Sequence, residues 1–204
     1  MEFSPLQLSV AGAAVGALAW LFWPKKAEAK RPLSSVALVG DSLGVGLGPP
    51  LAEELAPVPL TVKAHVSATA RDWATGKYAP ELDAVLAKKP DLVLVSLGTN
   101  DTVPPGKELS LELPENFKTI ADKVRKAGAK PVFVIVNQSW SLQRVEEGAA
   151  LAGAKLLQAS GLSRNPGDPV HLTGNGYAAW AKIVASEVRG GSTVGHPIEL
   201  FTLP

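Results

Sequence analysis

Between residues 33 and 190 the sequence predicts an α/β domain, a parallel β-sheet sandwiched between two layers of helices. Three observations predict it. Short, nearly unbroken apolar runs at residues 35–39, 91–97 and 131–136 recur along the chain, and such runs belong to strands covered on both faces. Between them lie stretches whose apolar residues are three and four apart, the period of a helix packed on a sheet. The two kinds of segment alternate, which is the pattern of parallel strands joined by crossover helices in a three-layer sandwich. A chain of 204 residues is expected to hold one such domain.

The first segment does not belong to that domain. Residues 3–24 contain no charged side chain, and their core, residues 6–23, is rich in Ala, Leu, Val and Gly and just long enough to span a bilayer. Trp20, Phe22 and Trp23 close it, where aromatic residues favour the membrane interface, and Lys25, Lys26, Lys30 and Arg31 follow at once. The expectation is a single-pass transmembrane anchor over residues 1–24, then a basic, proline-ended linker over 25–32. Two other readings compete with it. A cleaved signal peptide wants positive charge ahead of the apolar run, where this chain has Glu2, although Ala27-Glu28-Ala29 resembles a cleavage site. A buried core helix is the other. Gly12 and Gly16 form a small-xxx-small pair through which two anchors could pack into a homo-oligomer. The basic cluster favours a cytoplasmic position for the rest of the chain, which sits awkwardly with an external substrate, so the side of the membrane stays open.

The domain's elements follow in order. Residues 35–39 read as the first strand. Leu43, Leu47, Leu51 and Leu55, four apart, form the stripe of the first helix. Residues 59–65 read as a second strand, 67–71 as a small-residue loop, and a short helix begins at Asp72. A fuller helix covers 80–88, with Leu82, Val85 and Leu86 on one face. Residues 91–97 are the clearest strand, and a proline-rich loop covers 102–114. Residues 115–127 form a helix carrying Phe117, Ile120, Ala121 and Val124, stopped by Gly128. Residues 131–136 are a strand, 142–153 a helix and 155–158 a short last strand. The final helix starts at Thr173, a good N-cap, and carries Tyr177, Trp180, Ile183, Val184 and Val188. Residues 191–204 show no period and read as a tail.

Composition narrows the chemistry. Formal net charge is +1, and the linker cations supply it: from Leu33 on, 16 basic residues face 17 acidic ones. No basic face emerges, which argues against a nucleic-acid partner. Cysteine is absent, which excludes disulfides, thiolate metal sites and a cysteine nucleophile. The three histidines, His65, His171 and His196, make a zinc site improbable, and no metal or cofactor is expected.

Three loops fall at the C-terminal ends of strands, the edge where such sheets hold their sites. The first carries Ser42, at a strand-to-helix turn where a hydroxyl can stand clear of the sheet beside the first helix amides. The second carries Gly98 and Asn100. The third carries Asp168-Pro169-Val170-His171. An Asp three residues before a His can hold the ring Nδ1 while Nε2 faces outward, the tautomer a general base needs. His65 reads as structural and His196 as exposed in the tail.

Gly40-Asp41-Ser42-Leu43, Gly98-Thr99-Asn100-Asp101 and Asp168-x-x-His171 resemble, in order, three of the four sequence blocks of the SGNH (GDSL-type) hydrolases. The resemblance covers residues 34–189. It implies a flavodoxin-like α/β/α fold and cofactor-free cleavage of esters, thioesters and acetyl groups on lipids, sugars and peptidoglycan. By motif, Ser42 is the expected nucleophile, His171 its base and Asp168 the orienter. The Asn100 amide and the Ser42 backbone N–H are expected oxyanion donors. The remaining block departs from the family, which has a glycine after the second strand as the third donor. Here the stretch is His65-Val66-Ser67-Ala68-Thr69-Ala70, with Ser67 the first candidate for that donor and Ala68 the second. Either has the N–H, but a position needing positive φ would strain it.

Asp41 is expected to shape the turn, and with Gly98, Trp73 and Trp140 it is counted among the residues near substrate. The two tryptophans could stack on a sugar or cap the core. Residues 102–114, 73–78 and 138–140 are the candidate specificity loops. Three functions follow. The first is a membrane-anchored esterase or deacetylase acting on small acyl esters or cell-envelope glycans. The second is a lysophospholipase or thioesterase acting on lipid esters. The third is a non-catalytic module of the same fold for glycan binding or membrane assembly.

Overall fold

The computed structural model describes residues 32–101, 112–136 and 142–190. The chain divides into two units, Met1–Pro32 and Leu33–Pro204. The expected anchor, the linker up to Arg31 and the tail at 191–204 lie outside the described residues. Among the described residues no helix is long and apolar enough to cross a membrane.

In the second unit the elements run β1 (Val36–Gly40), α1 (Ser42–Leu55), β2 (Leu60–Ala64), α2 (Ala70–Ala74), α3 (Ala79–Leu86), β3 (Leu92–Ser96), α4 (Leu113–Lys126), β4 (Lys130–Val136), α5 (Leu142–Leu151), β5 (Lys155–Ala159) and α6 (Gly174–Val188). The strands pair in parallel in the order β2-β1-β3-β4-β5. The alternating pattern thus builds the expected parallel sheet with helices on both faces. The chain leaves β1 outward to β2, then returns past β1 to β3. The order reverses between β1 and β3, and such a switch point leaves a crevice beyond the strands' C-terminal ends.

Alternation of side chains along the strands divides the core in two. Leu38, Leu94 and Val134 face α1 and α6. Val39, Val95 and Phe133 face α2 to α5. The leucine stripe of α1 is buried throughout. Its packing carries α1 through Pro49 and Pro50, each of which costs an interior helix about 3 kcal/mol or more in isolation.

Most boundaries shift by a residue or two from the sequence reading, among them the end of α3 at Leu86 instead of residue 88. The loop expected at 67–71 ends at Thr69, because Thr69 and Asp72 form a reciprocal capping box that starts α2 at Ala70. α4 begins at Leu113, before Glu115, with Pro114 in the first turn, where its missing N–H is no loss, and Leu113 fully buried. α5 stops at Leu151 instead of residue 153. Gly128, at φ +86°, ends α4 as expected.

Candidate active site

β1 ends beside β3, with Gly40 paired to Ser96. The next residue, Asp41, donates its N–H to Ser96 O at 3.0 Å, and its carboxylate Oδ1 accepts Leu43 N at 2.9 Å as the N-cap of α1. Ser42 is therefore set at the first position of the helix, directly over the switch point. Asp41 itself is fully buried, which corrects the expectation that it meets substrate. Burial pushes its carboxyl up to about 7 against the opposing pull of the Leu43 and Gly44 amides.

The loop between β5 and α6 brings the other two groups. His171 Nε2 lies 3.0 Å from Ser42 Oγ, and His171 Nδ1 lies 2.7 Å from Asp168 Oδ2. The other Asp168 oxygen, Oδ1, accepts the N–H groups of Val170 (2.8 Å) and His171 (3.0 Å). These two amides, then the imidazole, hold the Asp168 carboxyl down at about 2. Both side chains are half-exposed, so the line Ser42–His171–Asp168 lies at the protein surface.

Arg164 was not singled out by sequence, and it braces this loop. Its Nη1 donates to Pro169 O (2.9 Å) and Val170 O (2.6 Å), the two carbonyls just ahead of His171. An antiparallel bridge between Arg164 and Leu172 and the bond from Asn165 N to His171 O close the loop. No local motif announces such an arginine, because its partners are carbonyls any residue would supply. His65 takes no part: it stacks on Tyr78 with centroids 4.0 Å apart, and its Nε2 lies 3.1 Å from Glu81 Oε1.

On the other flank, Ala68 N donates to His65 O at 3.1 Å, closing a four-residue turn with Ser67 third at φ +62°. A positive φ at that position alone is the type II arrangement, which favours glycine. The turn consumes the Ala68 N–H and so rules out the second candidate donor. Among the described residues neither the Ser42 nor the Ser67 N–H has a hydrogen-bond partner. Asn100 Nδ2 donates to Ala68 O at 3.0 Å, which leaves its second amide proton free of that bond. Asp101, another residue not singled out, is buried and takes the Ala70 N–H on both oxygens at 2.9 Å. The loop after β3 thus clamps the loop after β2.

Gly98 is buried at φ +110°, and a Cβ there would come within 2.6 Å of Val145 Cγ2. The turn and its packing both demand a glycine there. Trp73 is also corrected: it is fully buried, and its Nε1 donates to Gly40 O at 3.2 Å, so the core-capping reading holds. Trp140, His196 and residues 102–111 lie outside the described residues.

Two expected outcomes test this clamp. Left-handed backbone costs a side-chain-bearing residue about 1–2 kcal/mol. Ser67→Gly should therefore stabilise the protein by about 1 kcal/mol in urea unfolding. Asp101 is raised from 3.8 to about 6, chiefly by burial. Its raised value means the folded state holds the proton more tightly. The stability this contributes is full below about pH 4 and is lost as pH rises through 6. Asp101→Asn keeps an acceptor for Ala70 N but cannot ionise. Relative to wild type it should gain up to about 3 kcal/mol between pH 4 and 7, read from unfolding curves at each pH.

No protein-family model matches this sequence, and no curated protein matches it. Solved structures do. An acetyl xylan esterase superposes at TM-score 0.59 with 17% identity, over 76% of this chain and 99% of its own. A GDSL-like lipase from Bacteroides thetaiotaomicron gives 0.58 and 14%, over 77% and 88%. A psychrotrophic esterase from Pseudoalteromonas sp., in a structure inhibited by monoethylphosphonate, gives 0.56 and 15%, over 77% and 97%. At these identities the likeness is one of fold. The domain has an SGNH (GDSL-type) hydrolase-like fold.

Proposed function

We propose that this protein is a serine esterase that hydrolyses acyl or acetyl esters through an acyl-enzyme on Ser42. The observation that carries the reading is the continuous line from Ser42 Oγ through both nitrogens of His171 to Asp168, at 3.0 and 2.7 Å. Three residues far apart in sequence meet at hydrogen-bond distance in the order that nucleophile, base and orienter require.

In this mechanism Ser42 Oγ attacks the ester carbonyl carbon while its proton passes to His171 Nε2. The carbonyl oxygen becomes an oxyanion toward the N–H groups of Ser42 and Ser67 and the Asn100 amide. Each such donor is worth about 3–4 kcal/mol of barrier. His171 then gives the proton to the departing alcohol oxygen, leaving acyl-Ser42. Water attacks the acyl carbon, His171 takes a water proton, and collapse releases the acid and restores the serine. Asp168 holds its charge down to about pH 2, so the orienting carboxylate stays ionised across the range in which the enzyme is assayed.

The reading includes a membrane tether at residues 6–23, supported by their sequence, with an esterified glycan of the cell envelope or a small acyl ester as substrate. The full-length protein should release p-nitrophenol from p-nitrophenyl acetate and acetate from O-acetylated glycan. Glycan binding without turnover of any ester would favour the non-catalytic reading instead.

A further inference from the structure

One side of the Ser42 helix is left uncovered. α6 packs along one flank of α1, and the loop ahead of α6 brings His171 to Ser42 from there. On the other flank α1 lies over β2, the edge strand of the sheet, and a groove of about 470 Å³ opens between them. That volume falls in the range of about 300–1,000 Å³ usual for small-molecule sites. Val45, Gly48 and Ala52 of α1, Val62 and Ala64 of β2, and His65 line it. Its cation, Lys63, lies 3.6 Å from Glu81.

The apolar character is concentrated here. Among the described residues the exposed large hydrophobics are Val45, Val62, Val66 and Leu151. The first two line the groove, and Val66 follows His65 in the turn that carries Ser67. Exposed apolar side chains gathered in one place mark a binding surface, whereas single ones do not. The groove begins one helical turn from the triad, although no triad residue lines it. Val45 is three residues after Ser42, on the same face of α1, and His65 opens the Ser67 turn.

The chemistry of the ester decides which part of a substrate lies there. The leaving oxygen must reach His171 Nε2 to be protonated, so the alcohol part sits on the α6 flank. The carbonyl oxygen turns to the Ser42 and Ser67 amides. The third substituent, the acyl chain, then has the groove beside Val45 and His65 to run along, next to the Ser67 turn. We propose that the groove between α1 and β2 receives the acyl chain of the substrate, an apolar chain of several methylenes. This rests on the esterase reading and, within it, points to esters of longer acyl chains over acetylated glycans, whose acyl group has no methylene to place there.

Two measurements on the full chain in lipid nanodiscs test the assignment. A fully buried methylene is worth about fourfold in an equilibrium or rate ratio, and a half-open groove about half that energy, or twofold. kcat/KM for p-nitrophenyl esters should therefore rise roughly tenfold from acetate to hexanoate. Ala52→Trp, at an exposed site on α1, fills the groove and should bring the hexanoate-to-acetate ratio close to one. A diazirine-bearing decanoate, which needs no turnover, should cross-link to peptides carrying Val45, Ala52 and Val62. Acetate turnover with a flat chain-length profile and cross-links elsewhere would overturn the groove and leave the esterase standing. Cross-links at these residues with no ester hydrolysed would overturn the esterase and leave an apolar-chain site.

Discussion

Ser42→Ala is expected to lower kcat for p-nitrophenyl acetate by at least about 10⁴-fold while the protein stays folded. The Ser42 hydroxyl has one hydrogen-bond partner among the described residues, His171 Nε2. Removing it deletes the attacking atom and little else. Alanine is the best helix former, and the first helical position does not need the hydroxyl, because Asp41 performs the capping. Unfolding free energy should therefore move by no more than about 0.5 kcal/mol, as for an ordinary partly exposed site. Any residual rate above that of free ester would come from the Ser42, Ser67 and Asn100 donors acting on water's attack. Turnover retained within tenfold would remove Ser42 from the mechanism.

Asp168→Asn should cost about 10³–10⁴-fold in kcat with little change in KM, and the structure gives the reason atom by atom. Asp168 Oδ1 accepts two backbone N–H groups, from Val170 and His171. In the variant only the amide oxygen can take that place, so the amide NH₂ is turned toward His171 Nδ1. The ring must then accept at Nδ1 and carry its proton on Nε2. An imidazole so protonated cannot take the Ser42 proton. The loop keeps its backbone bonds and the Arg164 brace, so the loss is one of tautomer rather than of folding. Steady-state kinetics with thermal unfolding alongside separate the two. Equal losses of stability and rate would show Asp168 to be structural only.

Much of the architecture is legible in short-range patterns. The buried runs of β1, β3 and β4, the leucine stripe of α1 and the Thr173 cap of α6 are local, and each element forms within a residue or two of where the pattern puts it. Ser42, Asn100 and the Asp168–His171 pair stand out because their chemistry and loop positions coincide. The remainder depends on partners distant in sequence. Trp73 is settled by Gly40 O, 33 residues away, and the 67–70 loop by Asp101 and Asn100, 31 and 32 residues beyond their partners. No window of a dozen residues carries those bonds. Thr69-x-x-Asp72 did carry the start of α2, and that capping signal was there to be read. Ser67 shows a different limit. The left-handed turn it adopts is chosen by the β2 loop and its clamp, so a residue ill suited to positive φ occupies a position where glycine would be expected.

The most direct test of an activated serine is covalent labelling of the full-length protein with a fluorophosphonate, located by mass spectrometry. The attack of Ser42 Oγ on phosphorus, with its proton passing to His171, calls on the same line of groups as ester hydrolysis. A single adduct on Ser42, lost in His171→Ala, is the expected result. Folded protein that takes no adduct, or that labels equally without His171, would contradict it.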